Sequence, residues 1–199
     1  YIGLGQFESL VLDEIKRQIQ KIVELAIWRG VEGGADAVAS LNLFDGINQY
    51  VADNLASIPA AQKLSGSFAA GSVIASMRAM RNVLPIDQFD EATEASKYLL
   101  FVSPLAKARY DQAYQDAYPA LIYNTSYNKT MLDGSMIEIS QAPGLFGVSS
   151  DGLGLLVKRE SLWAGVDVSG EQNNLRIYMD QDEEYVRIKG RFMLGTAIN

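Results

Sequence analysis

Residues suited to chemistry are few in this chain, and they are scattered. Arg187, Lys189 and Arg191 alternate along one segment, a spacing that places three cations on one side of a β-strand. There they can contact phosphates, or meet the acidic side chains of a neighbour or solvent, which the acidic net charge favours. The run Asp180, Asp182, Glu183 and Glu184 offers oxygen ligands for a divalent cation. It lacks the alternating ligands and turn glycine of a calcium loop and reads as a solvated hairpin tip. Gly152-Leu153-Gly154 has neither the third glycine nor the following helix of a dinucleotide fingerprint, and no glycine-rich stretch carries Gly-Lys-Ser/Thr. Asn124-Thr125-Ser126 and Asn128-Lys129-Thr130 fit the glycosylation pattern but read as a polar loop. The acidic stretch Asp87, Asp90, Glu91 and Glu94 reads as solvated loop or frayed helix.

Counting removes more chemistry than spacing supplies. The chain has 199 residues, no Cys and no His. Disulfide scaffolds, thiolate metal sites, cysteine nucleophiles, Ser-His-Asp triads and imidazole bases are therefore excluded together. With 24 Asp+Glu, paired-carboxylate hydrolysis stays open, although no spacing selects a pair. The net charge is −7 and 48% of residues are apolar, so the chain can fill a sizeable core but lacks the cationic face of a dedicated nucleic-acid binder. There is no apolar run of bilayer length and no basic-then-apolar leader, which suits a soluble, non-secreted protein. The first residue is Tyr1 rather than Met, which points to a segment missing upstream.

The elements that must position these residues follow from periodicity. Between Gln6 and Arg29, Phe7, Val11, Ile15, Ile19, Ile22, Val23, Ala26 and Ile27 recur every three to four positions, and Gly30 ends this long amphipathic helix. Residues 31–40 are rich in Gly, Ala and Ser and read as a loop. A second helix is expected over 67–83, with Phe68, Val73, Ile74, Met77 and Met80 on one side. Tyr98-Leu99-Leu100-Phe101-Val102 is an apolar run of strand length, buried on both faces. Ser103-Pro104 then caps and opens a helix to Ala117. Strands are expected over 136–140, 154–158, 175–179 and 185–194, the last two forming an antiparallel hairpin. Helices first and antiparallel strands last make the class α+β.

The order of these elements resembles the C-terminal two-thirds of a tailed-bacteriophage major capsid protein with the Hong Kong 97-type shell fold. Ala26-Ile27-Trp28-Arg29-Gly30 and then Phe44-Asp45-Gly46-Ile47 resemble the end of that family's spine helix and the loop after it. Tyr98 to Pro104, leading into Tyr110, resembles its strand, Pro-containing turn and helix. Ile137-Glu138-Ile139 through Pro143-Gly144 to Leu155-Leu156-Val157 resembles a following shell segment, and Tyr185 to Gly195 the terminal strand. The family's N-terminal arm and E-loop have no counterpart here.

The resemblance implies a peripheral P domain at 1–58 with the spine helix, an axial A domain over most of 59–174, and returning P-domain strands at 175–199. It implies a structural head protein of a phage or prophage, without catalytic, cofactor or metal residues. Its partners would be other copies of itself, in pentamers and hexamers, and packaged double-stranded DNA bound without sequence specificity, with no membrane partner. It would reside in the virion capsid after assembly in the bacterial host cytoplasm. Arg187, Lys189 and Arg191 are the candidate subunit-contact residues. An encapsulin-type nanocompartment shell shares the same fold, and a small carboxylate-dependent hydrolase is the alternative from another class; the latter requires two facing acids in a pocket.

Overall fold

The computed structural model describes residues 4–36, 38–84, 97–118, 131–145, 154–166, 176–180, 185–189 and 194–198. Within them the architecture is α+β. In chain order, helices α1 (Leu4–Arg29), α2 (Ile47–Asp53) and α3 (Val73–Asn82) precede strand β1 (Tyr98–Val102) and helix α4 (Pro104–Ala117). Six strands follow: β2 (Glu138–Gln141), β3 (Gly154–Lys158), β4 (Leu162–Val166), β5 (Arg176–Asp180), β6 (Tyr185–Lys189) and β7 (Leu194–Ile198).

The central sheet has the order β2-β1-β3, with β2 parallel and β3 antiparallel to β1. Its register aligns Ile139, Leu100 and Leu156 in one row and Ser140, Phe101 and Leu155 in the next. Because strand side chains alternate, these rows face opposite layers. The first row packs with Val73 and Met77 of α3 and with Ala106, Tyr110 and Tyr114 of α4, together with Leu132 and Ile137. The second lies against Trp28 at the end of α1, whose indole is tilted 57° to the Phe101 ring at 5.0 Å. A strand with helices on both sides explains why 98–102 is continuously apolar. Full burial of Met77, Leu100, Ile137 and Leu145 stabilises by about 1.5–3 kcal/mol each.

Local chemistry sets the element ends. The Ser103 hydroxyl accepts the Ala106 N–H at 3.2 Å, and Pro104 occupies the first helical position, so β1 passes into α4 within one residue. The helix expected over 67–83 is α3, which begins at Val73 rather than 67, and the serines explain the difference. Ser72 and Ser76 both donate their hydroxyls to the Ser67 carbonyl at 2.8 Å, and the Ser67 hydroxyl accepts the Ala69 N–H. These bonds hold 67–72 in turns that compete with helix.

At the foot of α1 the chain crosses itself. The Gly46 N–H donates to the Gly30 carbonyl at 2.8 Å. A Cβ on Gly46 would lie 2.7 Å from the Gly30 nitrogen and 2.8 Å from the Ala26 carbonyl oxygen, so no side chain fits there. A Cβ on Gly144, in the 3-10 turn Pro143–Leu145, would lie 2.6 Å from the Trp28 Cβ, so a side chain is excluded there too.

The expected strand over 185–194 is two strands. Residues 185–189 pair with β5, whereas Leu194 opens β7, which is antiparallel to β4. Strand β4 had no counterpart in the sequence-based expectation. The acidic stretch 87–94, both Asn-x-Ser/Thr sites, Gly152-Leu153, Asp182–Glu184 and Arg191 lie outside the described residues.

Candidate functional site

Three places on the described surface combine features that can bind. The first is the cationic ribbon. The β5–β6 register sets Lys189 opposite Arg176 and Arg187 opposite Tyr178. The same register pairs Ile177 with Ile188, Met179 with Val186 and Asp180 with Tyr185. Arg176 was legible in the sequence only as part of its own strand; the pairing is what adds it to the set.

The second is the seat where β7 meets the foot of α1. Ile198 and Leu162, paired across β7 and β4, pack with Ile27, Trp28 and Ile47. Thr196 donates its hydroxyl to the Asp45 carbonyl at 2.6 Å, joining residues 151 positions apart. Next to this seat, Lys21, Glu24, Leu25 and Arg29 of α1, Pro104 and Leu105 of α4, and Pro143 enclose a groove of about 530 Å³. Burial pushes the Glu24 carboxyl above its ordinary range. No second acid lines the groove among the described residues.

The third is a polar knot centred on Asp133, between α3 and α4. Its carboxylate accepts Arg78 Nε at 2.9 Å and Nη2 more closely, and the Tyr114 hydroxyl at 3.1 Å. The Asp133 N–H donates to the Tyr110 hydroxyl at 3.1 Å, and its carbonyl accepts Arg81 Nη1 at 2.8 Å. Arg78 also donates to Tyr118 at 3.3 Å. The Tyr118 hydroxyl and the Asp133 carboxylate raise the Arg78 pKa further, keeping it cationic. Burial pushes the Tyr110 phenol up to about 12 and raises Tyr114 as well. Every polar arm of the knot meets another element of the same chain, which is the arrangement of a brace. Its members, Asp133 above all, carried no sequence signal, because the turn that holds them is long-range.

Among the described residues no three Asp or Glu side chains gather as a metal site, and no helix is long and apolar enough to cross a membrane. No protein-family model matches the chain, and no curated protein or solved structure matches it.

Proposed function

We propose that this chain is a structural subunit of an icosahedral shell: a major capsid protein of the Hong Kong 97 type from a tailed bacteriophage or prophage, acting by self-assembly. The observation that carries this reading is the return of β7 to the foot of α1, through Thr196, Ile198, Trp28 and Ile47. A spine helix and a terminal strand sharing one seat is what a peripheral domain interrupted by an axial domain requires. On this reading residues 1–58 and 175–199 form the P domain. The β2-β1-β3 sheet with α3 and α4 then belongs to the A domain within 59–174.

Other features support it. Helix α1 is 26 residues long, about 39 Å, and its exposure falls from 59% at Leu10 to 6% at Trp28. It is thus anchored at one end and presents more surface toward the other. The ribbon that carries Arg176, Arg187 and Lys189, with Arg191 two positions further along the sequence, suits lateral contacts to an acidic copy of the same chain. Many weak contacts of this kind hold a shell by their number. Such a shell encloses double-stranded DNA without reading it, and is built in the host cytoplasm.

Sedimentation velocity and negative-stain electron microscopy across a concentration series test the proposal. Curved sheets or closed shells are expected, and a chain that stays monomeric throughout refutes it. Nucleic acid inside the particles is the expected content; an enzyme cargo would reassign the shell to a nanocompartment. Replacing Arg187, Lys189 and Arg191 together by Ser should leave melting unchanged while weakening assembly. Unaltered particles from that variant would remove the ribbon from the contact.

A further inference from the structure

Strand β4 carries Trp163 with 61% of its surface exposed, although its neighbour Leu162 packs into the core beside Trp28. Alternation and register put Gly165, Ala197 and Gly195 on the same side of the β4–β7 ribbon as Trp163. None of these has a side chain larger than a methyl group, and a Cβ on Gly195 would meet nothing within 4 Å among the described residues. The indole therefore stands above a low, uncharged platform. Tryptophan is enriched among the side chains that anchor protein contacts, and the flat face beside this indole lets a partner approach it closely.

Elsewhere on the same molecule, the groove between α1 and α4 has what an indole needs. Leu25, Pro104, Leu105 and Pro143 form an apolar lining. Lys21 and Arg29 supply cations for the face of the ring, and Trp is the aromatic side chain that cations favour most. Glu24 supplies an acceptor for the indole N–H, which seeks a partner when buried.

We infer that Trp163 of one copy inserts into the α1–α4 groove of the next, forming a head-to-tail contact between identical subunits. Knob and groove are different patches, so the contact is heterologous and propagates into rings or lattices instead of closing a twofold dimer. One indole buries about 150–250 Å², well below the roughly 800 Å² per partner of a stable binary complex. The pairing is accordingly weak alone and effective when repeated. It rests on the shell role proposed above and names one of its lateral contacts.

The test uses Trp163→Ala, which removes the knob, and Leu105→Asp, which charges the groove. Leu105 is 38% exposed in the first turn of α4, where a carboxylate suits the helix terminus, so the fold should survive. Trp163→Phe and Leu105→Ser replace them if either fails to melt cooperatively. Each variant should raise the concentration for half-assembly about 30-fold, as loss of a hot-spot side chain does. Mixed in equal amounts, Trp163→Ala and Leu105→Asp retain one intact groove and one intact knob between them. The mixture should then assemble at a lower total concentration than either variant alone. Wild-type assembly by either variant alone, or a mixture that assembles no better than its two components, overturns the contact and leaves the shell role standing. A wild type that never assembles overturns both.

Discussion

Replacing Asp133 by Asn tests whether the polar knot braces α3 against α4. The substitution keeps shape and removes charge. One amide oxygen can still accept the Tyr114 hydroxyl, but the new NH₂ group then faces the Nε and Nη2 donors of Arg78, where the carboxylate accepted both. A fully buried charge-assisted pair is worth up to about 3 kcal/mol. Here the Arg78 and Asp133 side chains are 36% and 24% exposed, so solvent screening reduces their share to about 1 kcal/mol. Opposed donors left without acceptors cost about 1 kcal/mol more. The expected destabilisation is therefore about 2 kcal/mol, a fall in Tm of about 4–8 °C for a chain of this size. Urea unfolding should show a lower midpoint with an unchanged slope, and the cycle with Arg78→Met should give a coupling of about 1 kcal/mol. A Tm within about 1 °C of wild type would refute the brace.

Further outcomes follow from other parts of the fold. Ser103→Ala should cost about 1 kcal/mol in thermal unfolding, because the Ala106 N–H loses its cap. Gly46→Ala should cost about 1–3 kcal/mol or more, since its Cβ meets backbone atoms of Gly30 and Ala26 that cannot rotate away; a neutral result would mean the crossing is loose. Alkaline melting should report Tyr110. Its folded pKa of about 12 lies above the ordinary 10.0, so the unfolded chain loses this proton first. The associated stability is intact below pH 10.0 and disappears as pH rises toward about 12, by about 2 kcal/mol in all. Phenolate absorbance should show a late-ionising phase in the wild type, and that phase should shrink by one tyrosine in Tyr110→Phe.

Much of the local structure was legible because the signals were local. The 3.6-residue stripe from Val11 to Ile27 and the terminating Gly30 marked α1, and Ser103-Pro104 marked the strand-to-helix passage. Pairing was not legible. Nothing in Glu138–Gln141 announces that it lies parallel to β1, since that depends on the chain crossing over through α4. The stretch from Tyr185 to Leu194 alternates except at Gly190 and Met193, yet its two ends belong to different ribbons, because period-two patterning fixes a face and says nothing of the partner. Leu162–Val166 carries two small residues among its five and gave too weak a pattern to be read as a strand. For the candidate contacts, Arg187 and Lys189 were visible as alternating cations, whereas Arg176 joined them only through register. Trp163 and the groove around Leu25 and Leu105 were invisible, since an exposed tryptophan and a buried one look alike in a sequence.

The glycine crossing at Gly30 and Gly46 is also a hinge block for a lever. Helix α1 leaves it as a rod of about 39 Å, so a tilt of about 5° at the root swings the far tip by about 3 Å. Backbone atoms wedged this tightly leave little angular play, and the bearing of the rod is inherited by whatever it touches. In a wall made of repeated copies, that fixed bearing would govern how sharply the wall bends, and hence the diameter at which it closes.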